Sequence, residues 1–385
     1  MIIDGKRALA YIEKVHDIRS IEGADNIELV HIKGWTLIAK KGEFQEGDKA
    51  VYIEIDSQVP SNDERFAFLA NKHFKIKTYK LNKFKVVSQG LALPLSMFPE
   101  LGDLDINTNV TEKLGIVYAV AEDNHRKATV NPMSILKQRK SELFKRKSVL
   151  WLMKRSWGQK LILLIWGKKK DSKVAFPIHL CAKTDEERVE NVPEVLGTGP
   201  YSYSEKLDGA SSTFAMERKG FGYEFYVCSR NVRQIDMEQT CYYDENIYWE
   251  QAIKYNIKQF LKEFMKLNRN KKVRSVVLQG EIVGPKVQKK TYNLKERDLF
   301  VFNVIINGKR LDNDKMVEFC ERAGLNHVPV LGTIDKLPET MEEMKALAEG
   351  KSILDANTNR EGLVYRGMDG EQGFKNVSLT YLLEK

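Results

Sequence analysis

The chain has 385 residues, 42% of them hydrophobic and 10% aromatic, which is enough for two ordinary domains with packed cores and excludes a disordered or fibrous chain. Its net charge of +9 favours polyanionic partners and says nothing about fold. Cys181, Cys228, Cys241 and Cys320 are widely spaced with no C-x-x-C pair, which argues against a zinc ribbon or a disulfide framework and fits a reducing compartment.

The first stretch, "MIIDGKRALAYIEK", lacks a basic segment followed by an apolar core, so no signal peptide and a cytoplasmic location are expected. Residues 1–117 read as short strands. "AVYIEID" alternates with period two, and "FKIKTYKLNKFKVVSQGLALPL" sets lysines against apolar residues between turns. About five short strands in roughly 100 residues suggest a small closed barrel, of which the OB-fold is the commonest nucleic-acid-binding version. "IRSIEGADNIELVHIKGW" also resembles the start of tRNA-binding OB modules. A barrel with an exposed basic face and no specific ligand is the plainer alternative.

Residues 118–175 form a basic connector. From Arg126 to Lys170 there are 14 Lys plus Arg against one acid, Glu142, so this segment carries +13 and the rest of the chain 9 − 13 = −4. Leu, Ile and Trp recur among the charges at roughly helical spacing. Lys154, Arg155 and Lys160 interrupt the apolar run, so it does not read as a membrane span. Three readings stay open: a basic amphipathic helix pair that presents charge to phosphates, a segment resting on an anionic membrane surface, and a solvated linker.

Residues 176–385 alternate strands and helices as an α+β domain on antiparallel sheet. "GASSTFAMERKGFGYEFYVCSRN" predicts a hairpin turning at Lys219-Gly220. "DENIYWEQAIKYNIKQFLKEFMKLNRNKK" predicts one amphipathic helix, with Ile253, Ile257, Phe260 and Phe264 on its apolar face. "SVVLQGEIVG" predicts a strand. "DLFVFNVIINGKRL" predicts a hairpin with Asn-Gly at its turn. "KMVEFCERAG" and "TMEEMKALAEG" predict helices, and "EGLVYRG" and "GFKNVS" the closing strands.

The chemistry gathers around "YSYSEKLDGASSTF". K-x-D-G alone is weak, since three fixed positions recur by chance in about one such chain in twenty. Its weight comes from an ordered set downstream: Arg230 in "CSRN", Glu281 in "LQGEI", Phe300 and Phe302 in "LFVFN", Glu361 in "REGLVYR" and Lys375 in "GFKNVS". Taken singly, each has a bland reading. The phenylalanines could be core, the glutamates and Arg230 surface charges, and Asp208-Gly209 a turn.

As a series they resemble the motifs of the covalent nucleotidyltransferase superfamily. More closely they resemble the ATP-dependent RNA ligases of the Naegleria and Deinococcus type. "FPIHLCAKTDEERVEN" ahead of the lysine and an OB module in front are also similar to that family. The resemblance implies an N-terminal OB-fold barrel, 1–117, then a nucleotidyltransferase domain, 176–385. It implies ATP with Mg²⁺ or Mn²⁺, and RNA or an RNA-containing nicked duplex as partner. No obligate protein partner and no membrane contact are expected.

The resemblance makes Lys206 the nucleophile that forms a lysyl–adenylate, and Asp208, Glu281 and Glu361 metal-organising acids acting through water. It makes Arg230 the ribose and 5′-end contact and Phe302 the adenine-stacking ring, with Phe300 as fallback. Glu205 falls near the adenine amino edge, and Lys375 on the α-phosphate. The chemistry fits these types. A lysine attacking phosphorus must first lose its proton from a group of ordinary pKa about 10.4, and phosphoryl transfer is accelerated chiefly by positioning and charge neutralisation.

Three positions depart from the superfamily pattern. Asn376 and Val377 follow Lys375 where many members have a K-x-K pair, Asn303 follows Phe302 where many have Asp, and Ser211 and Ser212 follow the K-x-D-G. Arg366 is a candidate replacement for the missing lysine. DNA ligases and capping enzymes generally carry an OB domain after the last motif, whereas here it stands in front. They remain the nearest alternatives, and a nonenzymatic RNA-binding protein the alternative from another class.

Overall fold

The structure is a computed structural model, which describes residues 1–3, 6–119, 147–153, 155, 157–158, 162, 175–184, 186–234, 237, 243, 245–368 and 373–384. These residues fall into two compact units. One comprises Met1–Ala119, Asp185–Asp208 and Val328–Lys385, and the other Val120–Thr184 and Gly209–His327.

The first unit opens with thirteen short strand segments rather than about five. β1 (Ala10–Lys14), β2 (Asp17–Ser20), β3 (Ile27–Ile32), β4 (Trp35–Lys40) and β5 (Lys49–Ile53) make its centre. β6 (Thr78–Leu81) and β7 (Val86–Gln89) form a two-stranded hairpin, and β8 (Leu91–Pro94) pairs with β5. β3 and β4 show the alternating burial of half-covered strands. β5 does not: Ala50, Val51, Tyr52 and Ile53 are all 0% exposed. The "AVYIEID" stretch is therefore buried on both faces. Ala50 and Tyr52 join a cluster with Val30, Trp35 and Leu37, whereas Val51 and Ile53 join a second one with Phe66, Phe98 and Val110. Burying each of the aliphatic side chains is worth about 1.5–3 kcal/mol.

The first of these clusters also takes Val377, Tyr381 and Leu382 from the far end of the sequence. The reason is a second sheet in the same unit. It runs in the order β9 (Glu187–Arg188), β17 (Gly373–Val377), β16 (Gly362–Gly367), β10 (Tyr201–Lys206), β15 (Val330–Ile334). The barrel is fastened to it through Asn191, whose Oδ1 accepts from Trp35 Nε1 at 2.6 Å and whose Nδ2 donates to Glu54 at 2.9 Å.

The second unit contains α1 (Lys147–Met153). Most of the basic connector, and Cys241, lie outside the described residues. Its main sheet is built from β11 (Ala210–Lys219), β12 (Gly222–Ser229), β13 (Ser275–Val283) and β14 (Asp298–Ile306), all antiparallel neighbours. β11 and β12 form the expected hairpin, closed by Gly220 and Phe221 between Lys219 and Gly222. Asn307 and Gly308, both at positive φ, turn the chain after β14 as the Asn-Gly pair predicts.

The single helix expected over 244–272 is two: α2 (Ile247–Lys254) and α3 (Ile257–Leu267). Asn256 sits between them in the left-handed region at φ 47°, a conformation asparagine tolerates better than most residues. The break re-phases the apolar face. Ile253 is 61% exposed, while Ile257, Leu261 and Met265 are buried, and Phe260 and Phe264 pack edge-on to Phe319. α4 (Asn313–Ala323), α5 (Met341–Leu347) and α6 (Leu379–Glu384) complete the fold. No helix among the described residues is long and apolar enough to cross a membrane.

Candidate active site

In the first unit, Lys206 ends β10 and lies opposite Gly362, the first residue of β16. Its Nζ donates to Glu361 Oε2 at 2.9 Å, with the two side chains 26% and 12% exposed. Gly362 is what allows this approach. A Cβ there would stand 2.2 Å from the Asn376 carbonyl oxygen, so only glycine lets β16 begin hard against β17. β17 sets Lys375 opposite Val364.

Opposed residues of antiparallel strands share a face, as do alternate residues along each strand. Lys206, Ser204, Val364, Arg366 and Lys375 therefore face one way. The other face carries Tyr203, Tyr365 and Phe374, stacked across three strands at 5.6 and 5.2 Å between centroids. Leu363, Tyr365 and Phe374 pack there with Val189, Leu337 and Met344, which makes the platform beneath the lysine rigid.

Glu205 lies on that second face and is 1% exposed. Its Oε2 accepts from the Ile353 amide at 2.8 Å, while Oε1 is buried with no hydrogen-bond partner. Burial raises the carboxyl above its ordinary range, an effect that the Ser352 hydroxyl and the Ile353 amide partly offset. Asp208 is half-buried two residues beyond Lys206, and the chain passes from one unit to the other between Asp208 and Gly209.

In the second unit, Gly209 admits no side chain either: a Cβ would meet the Ile282 carbonyl oxygen at 2.3 Å and Glu281 Cγ at 2.9 Å. Glu281, half-buried in β13, lies opposite both Ser211 and Phe300. The adjoining row crosses four strands as Ser229, Ser212, Gly280 and Val301. Arg230, exposed, is the next residue after Ser229, in the tight bend closed by the Ser229 amide and the Val232 carbonyl at 2.9 Å.

β14 does not simply alternate. Its register to β13 shifts between Gln279 and Gly280, so Gln279 faces Asn303 and Gly280 faces Val301. Phe302 is the extra residue of a β-bulge, the device by which strands re-aim a side chain. Phe302 is half-buried, whereas Phe300 is 7% exposed and part of the core. Asn303 is taken up by a hydrogen bond from its Nδ2 to Gln279 Oε1 at 2.8 Å.

Two arginines near Lys375 emerge that the motif spacing does not single out as a pair. Arg188 is the parallel-strand neighbour of Lys375 and is 6% exposed, with Nη2 3.6 Å from Asp56. Arg366 is 5% exposed and pairs with Glu186 at 3.2 Å. Only strand pairing reveals that they adjoin Lys375. Among the described residues, no three His, Cys, Asp or Glu side chains converge as direct metal ligands.

Residues 199–379 match the RNA ligase family model, and residues 9–95 match an OB-fold domain model. No curated protein sequence matches the chain. Among solved structures it is similar to Naegleria gruberi RNA ligase. A point variant of that enzyme with ATP and Mn is 28% identical, with TM-score 0.73, covering 98% of this chain and 99% of that chain. A variant with AMP and Mn gives 28% and 0.74 over the same shares, and the enzyme with PPi gives 28% and 0.73. The chain thus carries a segment that matches an OB-fold domain ahead of one that matches the RNA ligase family model, and over 98% of its length it is similar to the Naegleria enzyme.

Proposed function

We propose that the protein is an ATP-dependent RNA ligase that joins 3′-OH and 5′-phosphate ends through an adenylate on Lys206. The observation that carries this is the Lys206–Glu361 pair at the end of β10, in a chain whose structural relatives are solved with ATP, AMP, Mn and PPi. Lys206, having lost its proton, forms a P–N bond with the α-phosphorus of ATP as the bond to pyrophosphate breaks. A 5′-phosphate oxygen of RNA then takes the AMP and frees the lysine. Attack by the 3′-OH on that 5′-phosphorus makes the phosphodiester and releases AMP, the hydroxyl proton passing to solvent. A nicked duplex with RNA on the 3′-OH side is the substrate geometry this reading adopts.

Glu361 holds the Lys206 ammonium before the reaction. Lys375 holds the α-phosphate in this reading, which its position on the lysine's sheet face supports. The resemblance gives Glu205 the adenine amino edge, a carboxylate oxygen being an acceptor suited to that amino group and unsuited to the guanine carbonyl. The half-buried Phe302 at its bulge stacks on the base, and Arg230 contacts the ribose and the RNA 5′ end. Asp208, Glu281 and Glu361 supply hard oxygen donors that fit Mg²⁺ or Mn²⁺. Such an ion would be held through waters, as Mg²⁺ usually keeps several of its own. Bound there, it neutralises phosphate charge and draws electron density from the α-phosphorus. Residues 1–117 serve as the nucleic-acid-binding module, 118–175 as connector and 176–385 as catalytic domain, in the cytoplasm.

Incubation with radiolabelled ATP and Mg²⁺ or Mn²⁺, followed by denaturing electrophoresis, tests the reading. Wild type should be labelled, Lys206→Ala should not, and labelled GTP should leave both blank. An unlabelled wild type under both metals, with pre-bound AMP removed, would overturn the proposal.

A further inference from the structure

The connector is not the only basic stretch. From Arg65 to Pro99 there are seven Lys plus Arg and no acid. Six of the seven are lysines at 72, 75, 77, 80, 83 and 85, crowded onto the β6–β7 hairpin and the segment leading into it. Lys72, Lys77, Lys80, Lys83 and Lys85 are all exposed. Two other lysines of the barrel have acidic partners, Lys33 with Glu13 at 3.2 Å and Lys49 with Asp103 at 2.7 Å. On the hairpin the lysines meet rings instead. Lys72 Nζ lies 4.1 Å from the centroid of Tyr79, itself 44% exposed, and Lys83 Nζ lies 4.8 Å from the ring of Phe84.

The hairpin is short and stiffly built. Four ladder positions, Thr78↔Gln89 to Leu81↔Val86, hold it, and its four-residue tip is closed by the Phe84 amide on Leu81 and the Lys85 amide on Asn82. Ser88, opposite Tyr79, anchors it to β4 by accepting from the Ile38 amide at 3.1 Å. The result is a cationic prong with one exposed ring. Like charges this close repel one another, and a polyanion relieves that repulsion.

We propose that the β6–β7 hairpin is a grip for the phosphate backbone of the RNA substrate, with Lys77, Lys80 and Lys83 neutralising phosphates and Tyr79 offering a face for base stacking. The identity of the polyanion rests on the RNA-ligase reading; the grip itself rests on charge and shape. Surface lysines of this kind bind by releasing counterions, so their signature is salt dependence. Stacking on an exposed ring adds affinity without reading sequence.

The test uses the full chain and a fluorescent nicked RNA duplex with a blocked 3′ end, titrated from 50 to 300 mM salt. The variant Lys77→Gln/Lys80→Gln/Lys83→Gln should bind about tenfold more weakly at the low-salt end, and the slope of log K against log salt should fall by about 2 to 3, near 0.9 per lost duplex contact. The matching Lys→Arg variant should bind as wild type does. Lys206 labelling by ATP should be unchanged in both, which separates this proposal from the one above: loss of labelling in wild type sinks the ligase reading, not the grip. A Gln variant with wild-type slope and affinity overturns the grip. So does a variant that loses only its binding to vesicles of 30% phosphatidylserine while RNA binding stays intact.

Discussion

Glu205 is a carboxylate kept where water does not reach it, held by the Ile353 amide and the Ser352 hydroxyl. Its raised pKa means that the folded chain holds the proton to higher pH than the unfolded chain does. Above that folded value the buried charge opposes folding; as pH falls through it, the penalty disappears. Glu205→Gln should therefore stabilise the protein at pH 8, where the buried charge opposes folding in full. The gain should shrink as the pH is lowered toward 4.5, which thermal melts across that range would show. The same variant should label poorly with ATP, because the amide presents a donor where the adenine amino group needs an acceptor. A pH-independent gain would mean that Glu205 titrates alike in the folded and unfolded chain and that its pKa is not raised. Little of this was legible in the sequence. Glu205 is visible there as the residue before the lysine, but its burial comes from Ser352 and Ile353, some 150 positions away. The bulge at Phe302 was equally hidden, since alternation assigns faces by parity and a bulge changes parity.

Elements fix the site more firmly than single side chains do, and Gly362 carries the fixing on the lysine's sheet. Gly362 brings β16 against β17 and so sets Glu361 beside Lys206. Gly362→Ala would place a methyl 2.2 Å from the Asn376 carbonyl oxygen, so the strands must part by more than 1 Å. The expected cost is about 2 kcal/mol or more in a denaturant melt. ATP labelling of Lys206, measured well below the melting midpoint, should drop about 100-fold, the scale on which such misplacements act. Near-normal labelling would show that Glu361 need not sit where β16 puts it. The strands were legible at this scale: β11 to β14, β16 and β17 follow from apolar runs bounded by turn residues. The stretch 244–272 reads as one helix because its composition is helical throughout. One left-handed residue, Asn256, resets the phase, and periodicity across the break then assigns Ile253 to the wrong side.

At the scale of the whole molecule, the barrel reads in sequence as a separable module, because strand patterning stops near residue 117 and a basic run follows. The packing is less separable. Val377, Tyr381 and Leu382 complete the cluster around Trp35 and Tyr52. Gly34 donates its amide to the Glu190 carbonyl at 2.8 Å and accepts from Lys345 Nζ at 3.0 Å. No local pattern announces this, because the partners are about 150 to 340 residues apart. A fragment of residues 1–117 loses the burial that Val377 and Leu382 provide, worth about 3 to 6 kcal/mol for the two. It also leaves the Trp35 indole N–H and Glu54 without Asn191. Domains of this size are stable by only about 5–15 kcal/mol. The isolated barrel should therefore be marginal, unfolding in urea with a free energy of about 3 kcal/mol or less. Trp35 is the only tryptophan in 1–117, so its fluorescence reports the transition directly. A fragment that unfolds cooperatively with more than about 8 kcal/mol would show that the C-terminal residues only rest on a core already complete. Should the fragment prove marginal, the RNA-binding strength of the barrel has meaning only in the full chain, where residues 377–382 hold the Trp35 cluster closed.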